Sequence, residues 1–389
     1  MAIKTSNIPI VLLSTSHGTN HLLQLILPTL LPSLITEFEI SHYTAGILIA
    51  SFALPYSLLQ IPVGYLSDLK GRRNIMVFGL FLYSIATLLC GFSNNIIQLG
   101  LAQFFAGIGG STYHPIGIPL VSLSSSKRNI GQTQGIHQAG GAIGSFIAPL
   151  LAAYIGVAFD WRFSFIFLSL FGLITGFLLW IGTEEQSPIY EHGGRDENPK
   201  ALLSDIKIIK LIILLFIFGL AYLISYRALL PFLTTYITEK HGVRLEIAAQ
   251  LLALLQIAGI VGSPLFGRLS DRVGRKFMIG ILIICQSIIM FLITYASISM
   301  LPILLGVMGA VAFSTLAIVD SWVTEMKAYK IIGTLIGVVL TATFLAGAIV
   351  NPAVGYLADQ FEFDFSFRIF AFINLIALPF LVIIRYDKA

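Results

Sequence analysis

A short charged segment occurs twice in the chain, and this repeat indicates how the fold is organised. The two copies read Gly64-Tyr-Leu-Ser-Asp68-Leu-Lys-Gly71-Arg72-Arg73 and Gly267-Arg-Leu-Ser-Asp271-Arg-Val-Gly274-Arg275-Lys276. Six of the ten positions are identical at a shift of 203 residues. The same shift places Pro28 on Pro231 and Pro149 on Pro352. The repeat therefore extends over a whole half of the chain.

The composition around these segments indicates a membrane protein. Of the 389 residues, 57% are hydrophobic and only 11% are charged, and the mean hydropathy is +0.90. A soluble domain of average composition carries about 25% charged residues. The net charge of +4 is too small and too dispersed to indicate a nucleic-acid partner. The two cysteines, Cys90 and Cys285, lie in apolar runs and provide neither a disulfide framework nor a cysteine metal site.

The charge-free runs predict twelve membrane-spanning helices, since a helix needs about 20 apolar residues to cross the hydrocarbon core. Six runs fit one span each, namely 5–36, 40–67, 129–159, 163–183, 247–267 and 331–358. Two longer runs, 74–126 and 277–319, fit two spans each, with bends at Ser93-Asn94-Asn95 and Ser299-Met300-Leu301-Pro302. The runs 209–237 and 366–385 complete the set, although the former contains Lys210 and Arg227 and the latter contains Arg368 and Arg385.

The most charged segment separates the first six spans from the last six. We predict a six-helix bundle at 1–182, a cytoplasmic linker at 183–205 and a second six-helix bundle at 206–389. With a cytoplasmic N-terminus, 18 of the 23 basic residues lie in cytoplasmic segments, as the positive-inside rule requires. The expected fold is an all-α membrane protein of two pseudo-symmetric bundles, with both termini in the cytoplasm.

The duplicated segment resembles the signature loop of the major facilitator superfamily, and the six-plus-six layout matches that family over the whole chain. The resemblance implies two halves that rock about a central site and give alternating access. It also implies that the two loops form a conformational latch, with Asp68 and Asp271 near helix N-termini of the other half. The alternative is that each Asp only ends a span and fixes the topology. The latch residues are Gly64, Asp68, Gly71, Arg72, Arg73, Gly267, Asp271, Gly274 and Arg275.

The fifth span is rich in small residues, which let helices approach closely in lipid. The helix-packing residues predicted there are Gly135, Gly140, Gly141, Gly144 and Pro149. The pattern resembles the fifth helix of superfamily antiporters, although Gly140-Gly141 replaces the usual Gly-Pro dipeptide. Short motifs also resemble the fosmidomycin-resistance branch of drug exporters, namely Ser16-His17, Tyr113-His114-Pro115 and Gln138-Ala-Gly-Gly.

Polar residues inside the apolar runs are the candidate site, because such groups are costly at membrane depth. His17, His21 and Gln24 share one face of the first helix. The superfamily resemblance implies that helices one, four, seven and ten line the central cavity, and most of the polar residues lie on them. We expect the substrate to be bound by His17, Asn20, His21, Gln24, Tyr113, His114, Gln138, Tyr226, Arg227 and Trp322.

The charged residues within the spans indicate proton coupling. We expect Arg227 and Asp320 to interact directly or through water, since breaking a buried pair costs about 3–5 kcal/mol. Arg227 could instead hold an anionic substrate, and a substrate that displaced it would promote protonation of Asp320. His114 offers a second route, because an unperturbed imidazole titrates near physiological pH. No intramembrane carboxylate lies near the histidines of the first half, so neither a metal site nor a cofactor is expected.

These observations favour a proton-coupled antiporter that exports a small organic compound or drug. The alternative is a proton-coupled symporter for uptake of an organic anion or other small metabolite. An enzyme is not expected, because no nucleophile with a base and no His-Glu-x-x-His motif occurs. A channel would not need a latch. The expected protein is a monomer in the inner (plasma) membrane, whose partners are its substrate, protons and the lipid bilayer.

Overall fold

The computed structural model describes residues 10–123, 129–183, 206–326 and 332–384. Every regular element in those ranges is a helix, which confirms the predicted all-α class. The apolar composition explains the result, because in hydrocarbon a helix satisfies its own backbone hydrogen bonds. The predicted linker at 183–205 lies outside the described residues, apart from Thr183.

The described part of the first half contains nine helices. They are α1 (Ile10–Gln24), α2 (Ile26–Phe38), α3 (His42–Leu58), α4 (Gln60–Lys70), α5 (Arg73–Cys90), α6 (Ile96–Gly110), α7 (Tyr113–Leu123), α8 (Ile130–Ala158) and α9 (Trp161–Gly182).

The described part of the second half contains eight α-helices and a short 3₁₀ turn, Leu230–Phe232. The α-helices are α10 (Ile206–Ala221), α11 (Ile224–Leu229), α12 (Leu233–His241), α13 (Leu245–Val273), α14 (Arg275–Ile293), α15 (Leu301–Thr324), α16 (Ile332–Asn374) and α17 (Ala377–Ile383).

In the described ranges, the helices can be assigned to the twelve predicted spans once their breaks are taken into account. Within the described ranges, nine stretches are long and apolar enough to cross a bilayer, and the bent pair Ile208–Ala221 and Ile224–His241 makes a tenth. Helices α6 and α7, interrupted only at residues 111–112, make another. The stretch Gly337–Ile383 has 47 residues and a non-helical residue at Glu362. A helix of that length would be about 70 Å long, enough for two crossings.

The chain separates into two compact units. One contains most of the helices from α1 to α9, and the other most of those from α10 to α17. Two short segments group with the opposite unit: Ser41–Ala50 of α3 belongs to the C-terminal unit, and Val243–Ala253 belongs to the N-terminal unit.

A proline breaks the first span of each half at the same position of the repeat. Pro28 follows the break between α1 and α2, and Pro231 lies in the 3₁₀ turn after α11. Proline lacks an amide N–H and crowds the carbonyl four residues earlier. Those carbonyls belong to Gln24 and Arg227, so both predicted site residues lie directly before a break.

At the C-terminal end of α2, a glutamate occupies a backbone conformation that favours glycine. Glu39 ends α2 in the left-handed region, with φ 49° and ψ 42°, and its side chain is exposed. We expect Glu39→Gly to raise the free energy of unfolding by about 0.5–1 kcal/mol, because glycine has no Cβ penalty there. Thermal unfolding of the purified protein in detergent measures the change.

Thr36→Gly is the matched control, because Thr36 is exposed within the regular part of α2. It should lower stability by about 0.5–1 kcal/mol. Equal losses in both variants would contradict the assignment of strain to Glu39.

Candidate functional site

The two motif loops have the same backbone geometry. Gly71 has φ 95° and ψ 154°, and Gly274 has φ 96° and ψ 134°. Residues with a Cβ rarely adopt this conformation, so each loop requires glycine at this point. Ser67 donates to the carbonyl of Gly64 at 2.7 Å, and Ser270 donates to that of Gly267 at 2.6 Å. The sequence repeat is therefore also a repeat of local structure.

The arginines of the loops tie them to neighbouring helices of the same half. Arg73 donates to Thr183 at 3.2 Å and to the carbonyl of Trp180, at the end of α9. Arg275 lies 3.1 Å from Asp271 and also pairs with Glu325, which follows α15. Arg72 is buried. The side chain of Asp68 lies outside the described residues, and the latch role of both loops stays a prediction.

Glycines bring α1 and α8 into backbone contact. A Cβ on Gly144 would lie 2.0 Å from the carbonyl oxygen of Gly18, and one on Gly140 would lie 2.3 Å from that of Ser14. A Cβ on Gly141 would lie 2.6 Å from the ring of His17. By contrast, nothing lies within 4 Å of the Cβ position of Gly135. The three close glycines thus make room for α1 and for an imidazole.

The N-terminal unit brings three of the predicted histidines together, and we call His17, His21 and His114 the histidine cluster. One ligand nitrogen from each lies within 4.8 Å of the others. The Nε2 atoms of His17 and His21 are 3.2 Å apart. The ring centroids of His17 and His114 are 5.4 Å apart, and those of His21 and His114 are 5.6 Å apart. The cluster joins α1 to α7.

His137 on α8 supports the cluster. Its carbonyl oxygen lies 3.0 Å from Nδ1 of His17, and its ring stacks on the His17 ring with centroids 4.2 Å apart. Tyr113 donates to the carbonyl of Leu13 at 2.6 Å, so its oxygen accepts from Nε2 of His137 at 2.9 Å. The buried Nδ1 of His137 has no hydrogen-bond partner among the described residues. No sequence signal separates His137 from Gln138, which is exposed.

Asn20 joins neighbouring helices by hydrogen bonds and is not part of the histidine cluster. Its amide nitrogen donates to the carbonyl of Gly110 at 3.2 Å, and its amide oxygen accepts from Tyr56 at 3.3 Å. Gln24 contacts the cluster directly, because its Oε1 lies 3.3 Å from Nδ1 of His21. These two predicted site residues therefore have different surroundings.

In the C-terminal unit, Arg227 extends from α11 toward α16. Its guanidinium lies over the ring of Phe344, 4.3 Å from the centroid. The neighbouring Tyr226 donates to Gln256 at 3.2 Å. Trp322 is buried against Phe218, with ring centroids 5.7 Å apart. The cation thus has an aromatic face beside it, which favours binding of the guanidinium.

Asp320 lies on α15, and its Oδ1 atom is buried without a hydrogen-bond partner among the described residues. None of the ion pairs in the described ranges joins it directly to Arg227. The guanidinium of Arg227 lies against the ring of Phe344 on α16. Asp320 and Arg227 are both near enough to the buried Tyr222 hydroxyl to act on it electrostatically.

A second polar cluster, missed by the sequence reasoning, lies at the N-terminus of α3. The backbone N–H groups of His42 and Tyr43 both donate to Asp359 at 2.9 Å. The His42 ring lies 2.8 Å from Asp359 and 3.0 Å from Glu239. Gly355 allows this approach, since its Cβ position lies 2.0 Å from the His42 carbonyl oxygen. The only sequence signal was an acidic residue inside a long apolar helix.

Comparison with known proteins agrees with this architecture. The sequence profile of the Major Facilitator Superfamily matches residues 13–349 and 223–389. The fosmidomycin resistance protein of Escherichia coli is 24% identical over 94% of this chain and 90% of its own. The probable sulfoacetate transporter SauU of Cupriavidus necator is 24% identical over 87% of this chain and 84% of its own. A bacterial homolog of the human lysosomal transporter Spinster, inward-facing and occupied, superposes with a TM-score of 0.81 at 18% identity, covering 96% and 95%.

The glycine contacts between α1 and α8 can be tested with one pair of variants. We expect Gly144→Ala to cost about 1–3 kcal/mol of stability, because its Cβ has no space beside Gly18. Gly135→Ala should be neutral or stabilising by up to about 1 kcal/mol, since alanine is the better helix former. Thermal unfolding in detergent compares them, and equal destabilisation of the two would rule out the packing explanation.

Proposed function

The chain belongs to the major facilitator superfamily, and from this premise we propose that it exports a small organic compound in exchange for protons. Membership makes it a multi-pass membrane transporter and not an enzyme. Beyond family membership, we propose the exchange mechanism, the direction of transport and the residues responsible for both.

The observation that carries the proposal is the environment of Asp320. A carboxylate inside an apolar helix is costly unless a cation or a proton neutralises it. Its buried Oδ1 has no hydrogen-bond partner in the described ranges, and the guanidinium of Arg227 is directed to Phe344. A proton would neutralise Asp320 without requiring that Arg227 move. We assign Asp320 as the proton-carrying group.

Arg227 has the chemistry to recognise the substrate. Its planar fork suits a carboxylate, phosphonate or sulfonate group. Phe344 lies beside it and Tyr226 is its neighbour in the chain, and these two rings would receive the apolar part of the molecule. A bound anion that holds the guanidinium and leaves Asp320 to the proton would couple the two by symport, the second candidate. Antiport requires that a proton on Asp320 and the bound substrate exclude each other.

The direction of export rests on the relative that confers fosmidomycin resistance and on the motifs shared with that branch. The second candidate is uptake of an organic anion by proton symport. Arg227 favours it, as does the similarity to the probable sulfoacetate transporter.

Fosmidomycin is the first probe of export. Cells that express the protein should tolerate at least fourfold more fosmidomycin, and a protonophore should abolish the difference. Asp320→Asn should return the tolerance to that of cells without the protein, because an amide cannot carry the proton. Glu362→Gln is the control, since Glu362 is exposed, and it should behave as wild type. Full tolerance in the Asp320→Asn variant would refute the proton assignment.

Direction is measured in inverted membrane vesicles without a preformed pH gradient. Added substrate that enters the lumen by antiport drives protons out, so the lumenal pH rises. Symport carries protons inward with the substrate, so the lumenal pH falls. Fosmidomycin and sulfoacetate serve as the two probes, and the sign of the change decides between the two candidates.

Arg227 is tested by a conservative substitution. Arg227→Lys keeps the charge but loses the planar fork, so we expect at least a tenfold rise in KM for an anionic substrate. Arg227→Gln should abolish its transport. The matched comparison is an uncharged substrate, for which Arg227→Lys should leave KM unchanged. An equal effect on charged and uncharged substrates would assign Arg227 a structural role.

A further inference from the structure

The histidine cluster brings together more potential metal-ligand atoms than substrate binding requires. His17 and His21 are one turn apart on α1, and His114 comes from α7. The three ligand nitrogens converge within 4.8 Å, inside a helix bundle. Histidines that only brace helices need one nitrogen each for a hydrogen bond. In this cluster, one nitrogen from each of the three rings lies close to the other two.

The hydrogen bonds around His17 fix its tautomer. A carbonyl oxygen can only accept, so Nδ1 of His17 donates to the His137 carbonyl at 3.0 Å. In the neutral ring, Nε2 is then without a proton, and its lone pair is directed toward His21. Histidines that bind metals in proteins are commonly held in this way, by a backbone carbonyl on the second nitrogen.

His21 faces this lone pair. Its Nε2 lies 3.2 Å from Nε2 of His17, a hydrogen-bond distance, so it donates its proton to His17. Its Nδ1 lies 3.3 Å from Oε1 of Gln24. A metal ion that took both Nε2 atoms would release the shared proton, and Gln24 would then accept the N–H at Nδ1 of His21. A proton can serve one pair of nitrogens, whereas a metal ion can serve three.

The distances fit a tetrahedral metal ion. Zn–N bonds of about 2.0–2.1 Å place neighbouring ligand nitrogens about 3.4 Å apart. The pair His17 and His21 already has this separation, at 3.2 Å. The widest separation, 4.8 Å at most, requires a closing movement of about 1.4 Å, which side-chain torsions can supply. Gly141 leaves space for the His17 ring in this position.

We propose that His17, His21 and His114 form a three-histidine site for a divalent transition metal ion such as Zn²⁺. Imidazole ligands favour zinc, copper, nickel and cobalt over magnesium and calcium. Three histidines leave the fourth tetrahedral position for water or an anionic group, as in catalytic rather than structural zinc sites. No carboxylate was expected near these histidines, but three imidazoles suffice. The proposal does not depend on the direction or the coupling of transport.

Metal binding to the purified full-length protein tests the proposal. The protein is purified through a tag without histidines and stripped of metal with a chelator. Titration with Co²⁺ should give one equivalent of a tetrahedral site, recognised by visible absorption much stronger than that of the hydrated ion, and Zn²⁺ should displace it. Mg²⁺ at the same concentration should not.

Variants locate the metal. His17→Gln, His21→Gln and His114→Gln should each lower the Zn²⁺ affinity at least tenfold. His241→Gln is the matched control, because His241 lies in the C-terminal unit, and its affinity should equal that of wild type. Gln24→Leu removes only the acceptor behind His21, and it should lower the affinity by about tenfold. Size-exclusion profiles identify variants that fail to fold. If a histidine variant fails to fold, Gln24→Leu still tests the metal site, because it changes none of the three ligands.

Two results would overturn the proposal. One is wild-type protein that binds no Co²⁺ beyond the level of a triple glutamine variant, which would leave a shared proton as the occupant. The other is tetrahedral binding that persists in the cluster variants and disappears in His241→Gln. Transport assays do not enter either result, so failure of the metal site and failure of the proposed function are distinguishable.

Discussion

The constraint on which the whole structure depends is that hydrocarbon provides no hydrogen bonds. Backbone groups must then be satisfied within each segment, which is why every described element is helical. Buried polar side chains obey the same constraint: many hydroxyls donate to a carbonyl of their own helix, whereas histidines and carboxylates need partners at particular places. The histidine cluster, the surroundings of Tyr222 and the contacts of Asp359 are three such places. Each therefore carries information about function.

Close backbone contact is what makes these polar sites possible. Between apolar helices in lipid there is little hydrophobic gain, and packing takes its place. At Gly144 and Gly140, α8 lies directly against α1, so that the His137 carbonyl reaches the ring of His17. At Gly355, α16 reaches the N-terminus of α3 in the same manner, and Asp359 then receives two backbone N–H groups. An anion at a helix N-terminus is favoured there by the helix dipole.

The sequence predicted what depends on local pattern, and it missed what depends on contact between distant segments. The apolar runs, the motif loops and the family were predictable, because span length and the duplicated segment are local signals. That His17, His21 and His114 line one site was expected from the family resemblance, whereas the approach of their nitrogens to within 4.8 Å was not predictable, since α1 and α7 share no sequence pattern. Gln138 was predicted as a site residue and His137 was not, because helical phase alone does not tell which of two neighbours points inward. Arg227 and Asp320 were expected to interact directly or through water, and the ring of Phe344 beside the guanidinium was not considered.

The repeat also shows how the two halves differ in chemistry. At a shift of 203 residues Gln24 corresponds to Arg227, and both precede the proline that breaks the first span of their half. In the N-terminal half the neutral amide lies 3.3 Å from Nδ1 of His21, beside the histidine cluster, where a cation would bind under the metal proposal. An arginine at this position would place a fixed positive charge beside the three nitrogens and repel that cation. In the C-terminal half the same position carries the guanidinium, which attracts anions. Under the two proposals, this one repeat position would adapt one half to a cation and the other to an anion.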